Sequence, residues 1–272
     1  MILQNLHTHS VYADGKDTLA EMARAAFEAD FASLGFSEHG ITDFDPKYSM
    51  SCESAPRYAA EVASLKEEYR GKMEILCGVE QDHYSIEPNF ACDYRIGSVH
   101  YIKKDGEYVI VDGGSAEQLI LRIEKYWNGD RMAMCEEYYE MVSRLPEVTK
   151  CDIIGHIDVI TKLNEKYGVF DETDIRYKNA AYAAVDALCK KDMVFEINTG
   201  AMARGVRTAP YPAYDILTRI REKGGRILFN SDCHDKSFLL YGREAAIAAA
   251  KNAGFTEYAV LEKNGFNMYP IK

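Results

Sequence analysis

The amino-acid sequence predicts an α/β fold in which parallel strands close into a barrel surrounded by helices. Short apolar runs alternate with helical segments about seven times along the 272 residues, as is typical of parallel strands joined by helical crossovers. A polar or charged side chain directly follows nearly every apolar run, and barrel sites lie at the carboxyl ends of the strands. The length suits one domain over residues 1–272.

A doubly wound open sheet is the alternative arrangement of the same alternating elements. Such a sheet places its site at one switch point and does not draw residues from nearly every strand. The chain also lacks a glycine-rich phosphate-binding loop. We therefore favour the barrel.

The individual elements are predicted from apolar runs, helical periodicity and turn residues. Thr18 and Glu21 have the spacing of a capping box at a helix start, and Pro56 suits a first helical position. Asp105-Gly106 predicts the turn of a β-hairpin. Strands are predicted at 1–3, 32–37, 74–79, 94–99, 152–155, 193–197, 226–230 and 258–262, the hairpin at 101–112, and helices at 19–27, 57–70, 115–127, 131–145, 174–191, 214–223 and 243–253.

Composition narrows the classes of function. The formal net charge of −11 and the lack of a basic run disfavour a nonspecific nucleic-acid-binding protein. Seven scattered cysteines without a CxxC pair predict free thiols rather than disulfides or a thiolate zinc site. No apolar run approaches the ~20 residues of a membrane span, and no signal sequence is recognisable. We expect a cytoplasmic protein that does not bind membranes.

Two histidines at the end of the first strand predict a metal site. His7 and His9 are two positions apart, so their side chains share one face of the strand, with Cα atoms roughly 6–7 Å apart. Asp232 and His234 repeat this spacing after the last barrel strand. The first and last strands of a closed barrel are neighbours, so the two pairs converge. Histidine and carboxylate ligands suit zinc, manganese or iron.

Further candidate ligands stand at the ends of the intervening strands: His39, Glu80, His100 and His156. With the two pairs they make eight nitrogen or oxygen ligands, or nine if Asp14 in the first loop is included. One zinc ion takes three or four protein ligands. The sequence therefore predicts two or three divalent ions, with Glu80 as the bridging carboxylate.

Seven short motifs, in order, resemble those of the polymerase-and-histidinol-phosphatase (PHP) family. The resemblance covers essentially the whole chain and is closest to the single-domain phosphatases of the family. It implies a distorted seven-stranded (β/α)7 barrel with a trinuclear site. The motifs are His7-Thr8-His9, Ser37-Glu38-His39-Gly40, Gly78-Val79-Glu80, Gly97-Ser98-Val99-His100, Gly155-His156, Glu196-Ile197-Asn198-Thr199 and Ser231-Asp232-Cys233-His234.

The resemblance also implies how the ligands are shared among the ions. Many family members have a further ligand in the first loop, where this chain has no histidine, so Asp14 is the expected substitute. Glu38 and Asp158 are candidates to orient the neighbouring histidines. The expected sets are His7, His9, Glu80 and Asp232 for the first ion, Glu80, His100 and His156 for the second, and His39 and His234 for the third.

The implied activity is hydrolysis of a phosphate monoester, with L-histidinol phosphate as the expected substrate. Arg204 and Arg207 follow the strand that ends at Asn198, and a guanidinium suits phosphate. Arg204, nearer the strand, is the preferred phosphate-binding residue, although each arginine is equally consistent with a solvated loop residue. Asn198 holds either the substrate or a metal ligand. Asp232 or a nearby histidine such as His234 is expected to manage the proton of the leaving alkoxide.

Two other functions remain open at this point. One is a phosphoesterase of the same family that acts on nucleotides or short oligonucleotides, which the acidic composition disfavours. The other is a metal-binding scaffold without activity, which the full ligand set disfavours. A small phosphorylated molecule is the expected partner, and the sequence leaves the oligomeric state open.

Overall fold

Seven parallel strands form one sheet in the computed structural model, which describes residues 1–272. The order across the sheet is β1-β2-β3-β4-β7-β8-β9. The predicted distorted seven-stranded barrel is confirmed. The strands are β1 (Gln4–Asn5), β2 (Ser33–Phe36), β3 (Glu74–Asp82), β4 (Tyr94–Ser98), β5 (Tyr101–Lys104), β6 (Glu107–Ile110), β7 (Ile153–Ile154), β8 (Val194–Asn198), β9 (Arg226–Asn230), β10 (Glu257–Glu262) and β11 (Gly265–Pro270).

The barrel closes where the first and last strands of this sheet meet. The backbone N–H of His9 donates to the carbonyl oxygen of Cys233 at 2.9 Å. The Leu6 N–H donates to Oδ1 of Asn230 at 2.8 Å. These bonds bring the loop after β1 against the loop after β9, so the predicted convergence of the two histidine-containing pairs is confirmed.

Helices cover the outside of the barrel. The capping box of Thr18 and Glu21 is confirmed, and Ser115 forms a second one with Gln118. None of the helices combines the length and apolar character that a membrane crossing requires. The helices are α1 (Leu19–Glu28), α2 (Ser54–Glu68), α3 (Ala116–Trp127), α4 (Arg131–Ser143), α5 (Leu145–Thr149), α6 (Asn164–Tyr167), α7 (Ile175–Cys189), α8 (Gly200–Ala203), α9 (Tyr214–Glu222) and α10 (Arg243–Asn252).

Several predicted boundaries were wrong, for identifiable reasons. Helix α2 begins two residues before Pro56, which is tolerated in the first turn because its missing N–H would have no partner there. The helix predicted at 131–145 breaks before Pro146 into α4 and α5. The first strand was predicted at 1–3 from an apolar run, but β1 consists of the two polar residues that follow that run. Gln4 and Asn5 are nevertheless buried, because they hydrogen-bond to Ser33 and Ser231.

The hairpin of β10 and β11 packs against the amino-terminal end of the barrel, and β11 was not predicted. The Gln4 side chain exchanges two hydrogen bonds with the backbone of Leu261, at 2.8 and 2.9 Å. The predicted hairpin of β5 and β6 is confirmed, with positive φ at both Asp105 and Gly106.

The barrel interior has an apolar layer below a polar one. Because strand side chains alternate, residues two positions further on face the same interior. Ser98, Glu196 and Asn230 each lie two positions after a residue of the apolar layer. They belong to the polar layer, which is nearer the carboxyl ends of the strands. A Cβ on Gly35 or Gly78 would overlap the Tyr94 ring, so both glycines make room for it. The apolar layer contains Leu6, Tyr94, Ile96, Ile153, Val194, Leu228 and Ala259.

Candidate metal centre

A cavity of about 310 Å³ opens at the carboxyl ends of the barrel strands. His7 and His9, both completely buried, belong to the same cluster of side chains. The structure thus brings all the predicted ligands together at one end of the barrel. Seven of the nine line the cavity directly: Asp14, His39, Glu80, His100, His156, Asp232 and His234.

The Glu80 carboxylate lies at the centre of the cluster. The Ser98 hydroxyl donates to its Oε1 at 2.7 Å. The two oxygens face different imidazoles, so each could contribute to holding a different ion. Oε1 lies 2.9 Å from His156 Nε2 and 3.4 Å from His100 Nε2, and Oε2 lies 2.8 Å from His39 Nδ1, 3.3 Å from His7 Nε2 and 3.6 Å from His9 Nε2.

Asp232 has two differently occupied oxygens. Oδ1 lies 3.4 Å from His9 Nε2 and 3.8 Å from His7 Nε2. Oδ2 accepts from Arg204 at 3.1 Å and from Asn198 Nδ2 at 3.3 Å. The residue has a φ of 46°, a left-handed backbone that is uncommon outside glycine and tends to occur at functional sites. One oxygen therefore faces the histidines while the other is held by the protein.

Asp14 lies beside the two histidines of the third predicted ion. Its Oδ1 is 3.2 Å from His234 Nε2 and 3.6 Å from His39 Nε2. The His9 ring stacks between those of His39 and His234, at 4.3 Å from each. His9, Asp14, His39 and His234 form one group of potential ligand atoms within 4.8 Å of one another. The aspartate thus stands where a further ligand was expected.

The potential ligand atoms fall into three more groups, which only partly match the expected sets. His7, His9 and Glu80 group as expected for the first ion. His156 groups with His7 and Asp232, whereas His100 groups with Glu80 and His39. Glu80 contacts both His100 and His156, so the expected second set also remains within reach.

Unpaired buried atoms test whether these residues fit metal ions. Buried polar atoms are normally hydrogen-bonded, and burying them otherwise is costly. Here several ring nitrogens and carboxylate oxygens face one another without a hydrogen bond, and a cation between them would remove the cost. The residues present therefore fit divalent ions. The unpaired atoms are His7 Nε2, both ring nitrogens of His9, Asp14 Oδ1 and Glu80 Oε2.

Electrostatics favour the metal-binding protonation state at His9 and Glu80. Burial, followed by the neighbouring imidazoles of His234 and His39, lowers the pKa of His9 to about 3. A neutral imidazole is the form that binds metal. Burial raises the pKa of Glu80, but His39 and His7 outweigh it and hold that pKa well below its usual value. Glu80 is therefore an ionised carboxylate. At His7, His39 and His100 burial lowers the pKa, but neighbouring carboxylates outweigh burial and raise it, so metal binding there would release a proton.

The expected orienting residues have other partners. Glu38 accepts two hydrogen bonds from the Ser10 N–H, at 2.9 and 3.1 Å, and so holds the chain just after His9. Asp158 accepts from the Ala213 N–H at 2.8 Å, and the Nδ1 of His156 has no partner. The expectation that Asp158 orients His156 was wrong, because its carboxylate supports a different loop.

Two acidic residues that contact proposed ligand histidines were not recognised from the sequence. Asp82 accepts from the His100 N–H at 2.7 Å and lies 3.3 Å from its Nδ1. Glu196 lies 2.9 Å from Nδ1 of His7. A signal existed for Glu196, since an acidic residue within an apolar strand is rare unless it is paired.

The three candidate phosphate-binding residues separate clearly. Arg204 lines the cavity, its side chain about one third exposed at 34%. Arg207 does not line it, and its guanidinium stacks on Tyr211 at 4.5 Å and hydrogen-bonds to Thr161. Asn198 is buried below the cavity and holds Asp232. The expectation of substrate contact is therefore wrong for Arg207, whose side chain is engaged elsewhere. Of the two alternatives for Asn198, its contact with Asp232 fits the one in which it holds a metal ligand.

A second cation in the cavity was not predicted. Lys162 lines it and pairs with Asp112 at 2.9 Å. It lies in a loop between two helical turns, where no periodicity marks it as a site residue.

Fold and site together define a β/α-barrel protein with a histidine- and carboxylate-rich centre suited to several metal ions. The chain belongs to the PHP domain family, because the sequence model of that family matches residues 5–200.

Proteins similar along nearly their whole length support this membership. A "probable histidinol-phosphatase" of Deinococcus radiodurans is 26% identical over 264 residues, 92% of both chains. The histidinol-phosphatase of Bacillus subtilis is 26% identical, over 89% of this chain and 96% of that protein. The solved structure of Lactococcus lactis histidinol phosphate phosphatase, in complex with zinc, L-histidinol and phosphate, has a TM-score of 0.71 at 20% identity and covers 97% of this chain and 98% of that one. The structural likeness confirms the fold.

Proposed function

We propose that this protein is a metal-dependent phosphomonoesterase that hydrolyses L-histidinol phosphate to L-histidinol and phosphate, in histidine biosynthesis. The observation that carries the proposal is the cluster of metal-ligand side chains beside Arg204 in a cavity sized for a small molecule. The names of the two relatives support the substrate. Residues 1–272 act as one domain in this proposal. Its location is the cytoplasm, which the seven free thiols support.

The proposed cofactors are two to three ions of zinc, manganese or iron, since this ligand set accepts all three metals. The distances around Glu80 and Asp14 support the assignment. The proposed ligands are His7, His9, Glu80 and Asp232 for the first ion, Glu80, His100 and His156 for the second, and Asp14, His39 and His234 for the third.

Ions bound there would lower the pKa of coordinated water and neutralise charge on the phosphoryl group. The chain itself supplies the fixed cation Arg204, whose guanidinium reaches Asp232 and lies 3.1 Å from His234 Nδ1. That position lets it donate to phosphoryl oxygens as their charge changes in the transition state.

Asp232 is an ionised carboxylate in this site and has no proton to give the leaving group. Burial raises the pKa of its carboxyl group, but Arg204 and His7 outweigh burial and hold that pKa well below its usual value. We therefore assign Asp232 to metal binding and to anchoring Arg204, and His234 to metal binding through Nε2. His234 Nδ1 lies between the Asp232 carbonyl oxygen at 3.2 Å and the Arg204 guanidinium at 3.1 Å, and its Nε2 lies 3.2 Å from Asp14.

The outer lining of the cavity favours histidinol phosphate over nucleotides. Asp45 and Asp112 stand there with Lys162, which pairs with Asp112, so Asp45 leaves this wall negative. The hydroxyl of Tyr101 donates to Asp45 at 2.8 Å and holds it at the wall. A negative wall attracts the cationic amine of histidinol and repels a polyanionic nucleotide.

A substrate panel tests the proposal. With added zinc, manganese or iron, we expect L-histidinol phosphate to be hydrolysed with a higher kcat/KM than nucleoside monophosphates or short oligonucleotides, because of the negative outer wall. Release of inorganic phosphate is the measurement. A preference for nucleotides would establish the alternative phosphoesterase. The absence of turnover on every compound, with each metal, would establish a scaffold without activity.

The purified protein is expected to carry two to three divalent ions per chain, because one ion cannot satisfy nine candidate ligands. Elemental analysis after gentle purification measures this. One ion or none, with no gain when metal is added, would contradict the multinuclear centre.

A further inference from the structure

A buried carboxylate, Glu196, lies directly beneath the proposed metal centre. It stands in β8, its side chain is completely buried, and it does not line the cavity. Its two oxygens accept four hydrogen bonds in total, two each, from four different groups. Oε1 accepts from the His156 N–H at 2.7 Å and from Asn198 Nδ2 at 2.8 Å, and Oε2 accepts from Asn230 Nδ2 at 2.8 Å and from His7 Nδ1 at 2.9 Å.

Three of these four partners can act only as donors. The group on His156 is a backbone N–H. Asn198 must present its NH2, because its Oδ1 accepts from the Gly200 N–H at 2.8 Å. Asn230 must do the same, because its Oδ1 accepts from the Leu6 N–H at 2.8 Å. Only the imidazole of His7 can in principle either donate or accept at this position.

We propose that Glu196 is a positioning residue that holds His7 in the tautomer with its proton on Nδ1. In the neutral imidazole, the form that binds metal, an acceptor carboxylate at 2.9 Å requires that proton, and the lone pair is then on Nε2. His7 Nε2 has no hydrogen bond and lies 3.3 Å from Glu80 Oε2, at the centre of the ligand cluster. Glu196 thus presents His7 to a metal ion. The inference rests on the metal centre of the proposed function and goes beyond it.

The same carboxylate links the strands that carry the ligands. His7 follows β1 and His156 follows β7, while Asn198 and Asn230 end β8 and β9. All four contacts lie within the interior of the barrel, beneath the metal-binding end. Glu196 therefore sets both the tautomer of one ligand and the spacing of the strand ends around it.

Glu196→Gln tests the tautomer directly, since glutamine has nearly the same shape. Its NH2 must replace one oxygen. In the Oε1 position it would oppose two obligatory donors, His156 N–H and Asn198. In the Oε2 position it would oppose only one obligatory donor, Asn230, because His7 can accept from it by moving its proton to Nε2. That move removes the lone pair which binds metal.

We expect Glu196→Gln to bind zinc roughly 10- to 100-fold more weakly than the wild type, the range typical for loss of such outer contacts. The measurement is a zinc titration of the full chain, with zinc alone as the probe. Asp158→Asn is the matched control. It also converts a buried carboxylate to an amide, but the amide oxygen keeps the bond to the Ala213 N–H, so zinc binding should remain that of the wild type.

A second measurement needs no variant and decides the matter if Glu196→Gln fails to fold. Nitrogen NMR of the histidine rings in the zinc-loaded wild type should show a proton on Nδ1 of His7 and zinc on its Nε2. A proton on Nε2, or unchanged zinc affinity in Glu196→Gln, would overturn the proposal.

The outcomes also separate this inference from the proposed substrate. A wild type that binds none of zinc, manganese and iron overturns the metal centre and the role of Glu196 together. A wild type that binds zinc but leaves L-histidinol phosphate intact overturns only the substrate.

Discussion

Glu80→Gln is expected to remove most of the bound metal and to abolish most of the phosphatase activity. The Glu80 carboxylate contacts five imidazoles through its two oxygens, so its proposed role is to bridge two ions. Glutamine removes the negative charge and points an NH2 group at ring nitrogens that need a cation. We expect a loss in kcat/KM greater than the roughly 10- to 100-fold caused by removing an outer contact.

His39→Ala is the comparison for this variant. His39 is proposed to bind one ion and is partly exposed, at 21% of its side chain. Its loss should lower the metal content by about one ion and leave the remainder bound. Metal content and kcat/KM are measured on both variants in parallel. If Glu80→Gln keeps its metal and near-normal turnover, the bridging role is wrong.

Arg204→Ala should lower kcat/KM while the metal content stays at the wild-type level. The guanidinium faces the cavity but cannot bind a cation, so its contribution is to the phosphoryl group. Losing one charge-assisted hydrogen bond costs about 1.5–3 kcal/mol. That cost corresponds to a roughly 10- to 100-fold decrease in kcat/KM.

Arg207→Ala is the matched control, because it removes the same group three residues away. Arg207 packs on Tyr211, bonds to Thr161 and does not line the cavity, so we expect little change in turnover. A larger loss in Arg207→Ala than in Arg204→Ala would show that the wrong arginine was chosen. If neither variant loses activity, phosphate is bound by the metal ions alone.

The order of strands, helices and ligand residues followed from local features of the sequence. Strand and helix periodicities act over a few residues, and the spacing of His7 and His9 is a property of one strand. The predicted meeting of these histidines with Asp232 and His234 needed only the rule that a barrel closes on itself. For this reason the fold and the meeting of the proposed ligands at one end of the barrel could be predicted, whereas the groups that they form there only partly match the expected sets.

Contacts between residues remote in the chain were decided by the tertiary structure alone. The sequence favoured Arg204 over Arg207 only because Arg204 lies nearer the strand end. In the structure only Arg204 reaches the cavity, because Tyr211 and Thr161 hold Arg207. Lys162 enters the cavity from an aperiodic loop.

Glu196 illustrates the same limit inside the barrel. In the sequence it was only one residue of a motif, and its role depends on His7, which lies 189 positions away. Local sequence determines which side chains face the interior, but closure of the barrel determines which of them touch. Buried polar groups are normally hydrogen-bonded, and Glu196 bonds to the groups that barrel closure places beside it.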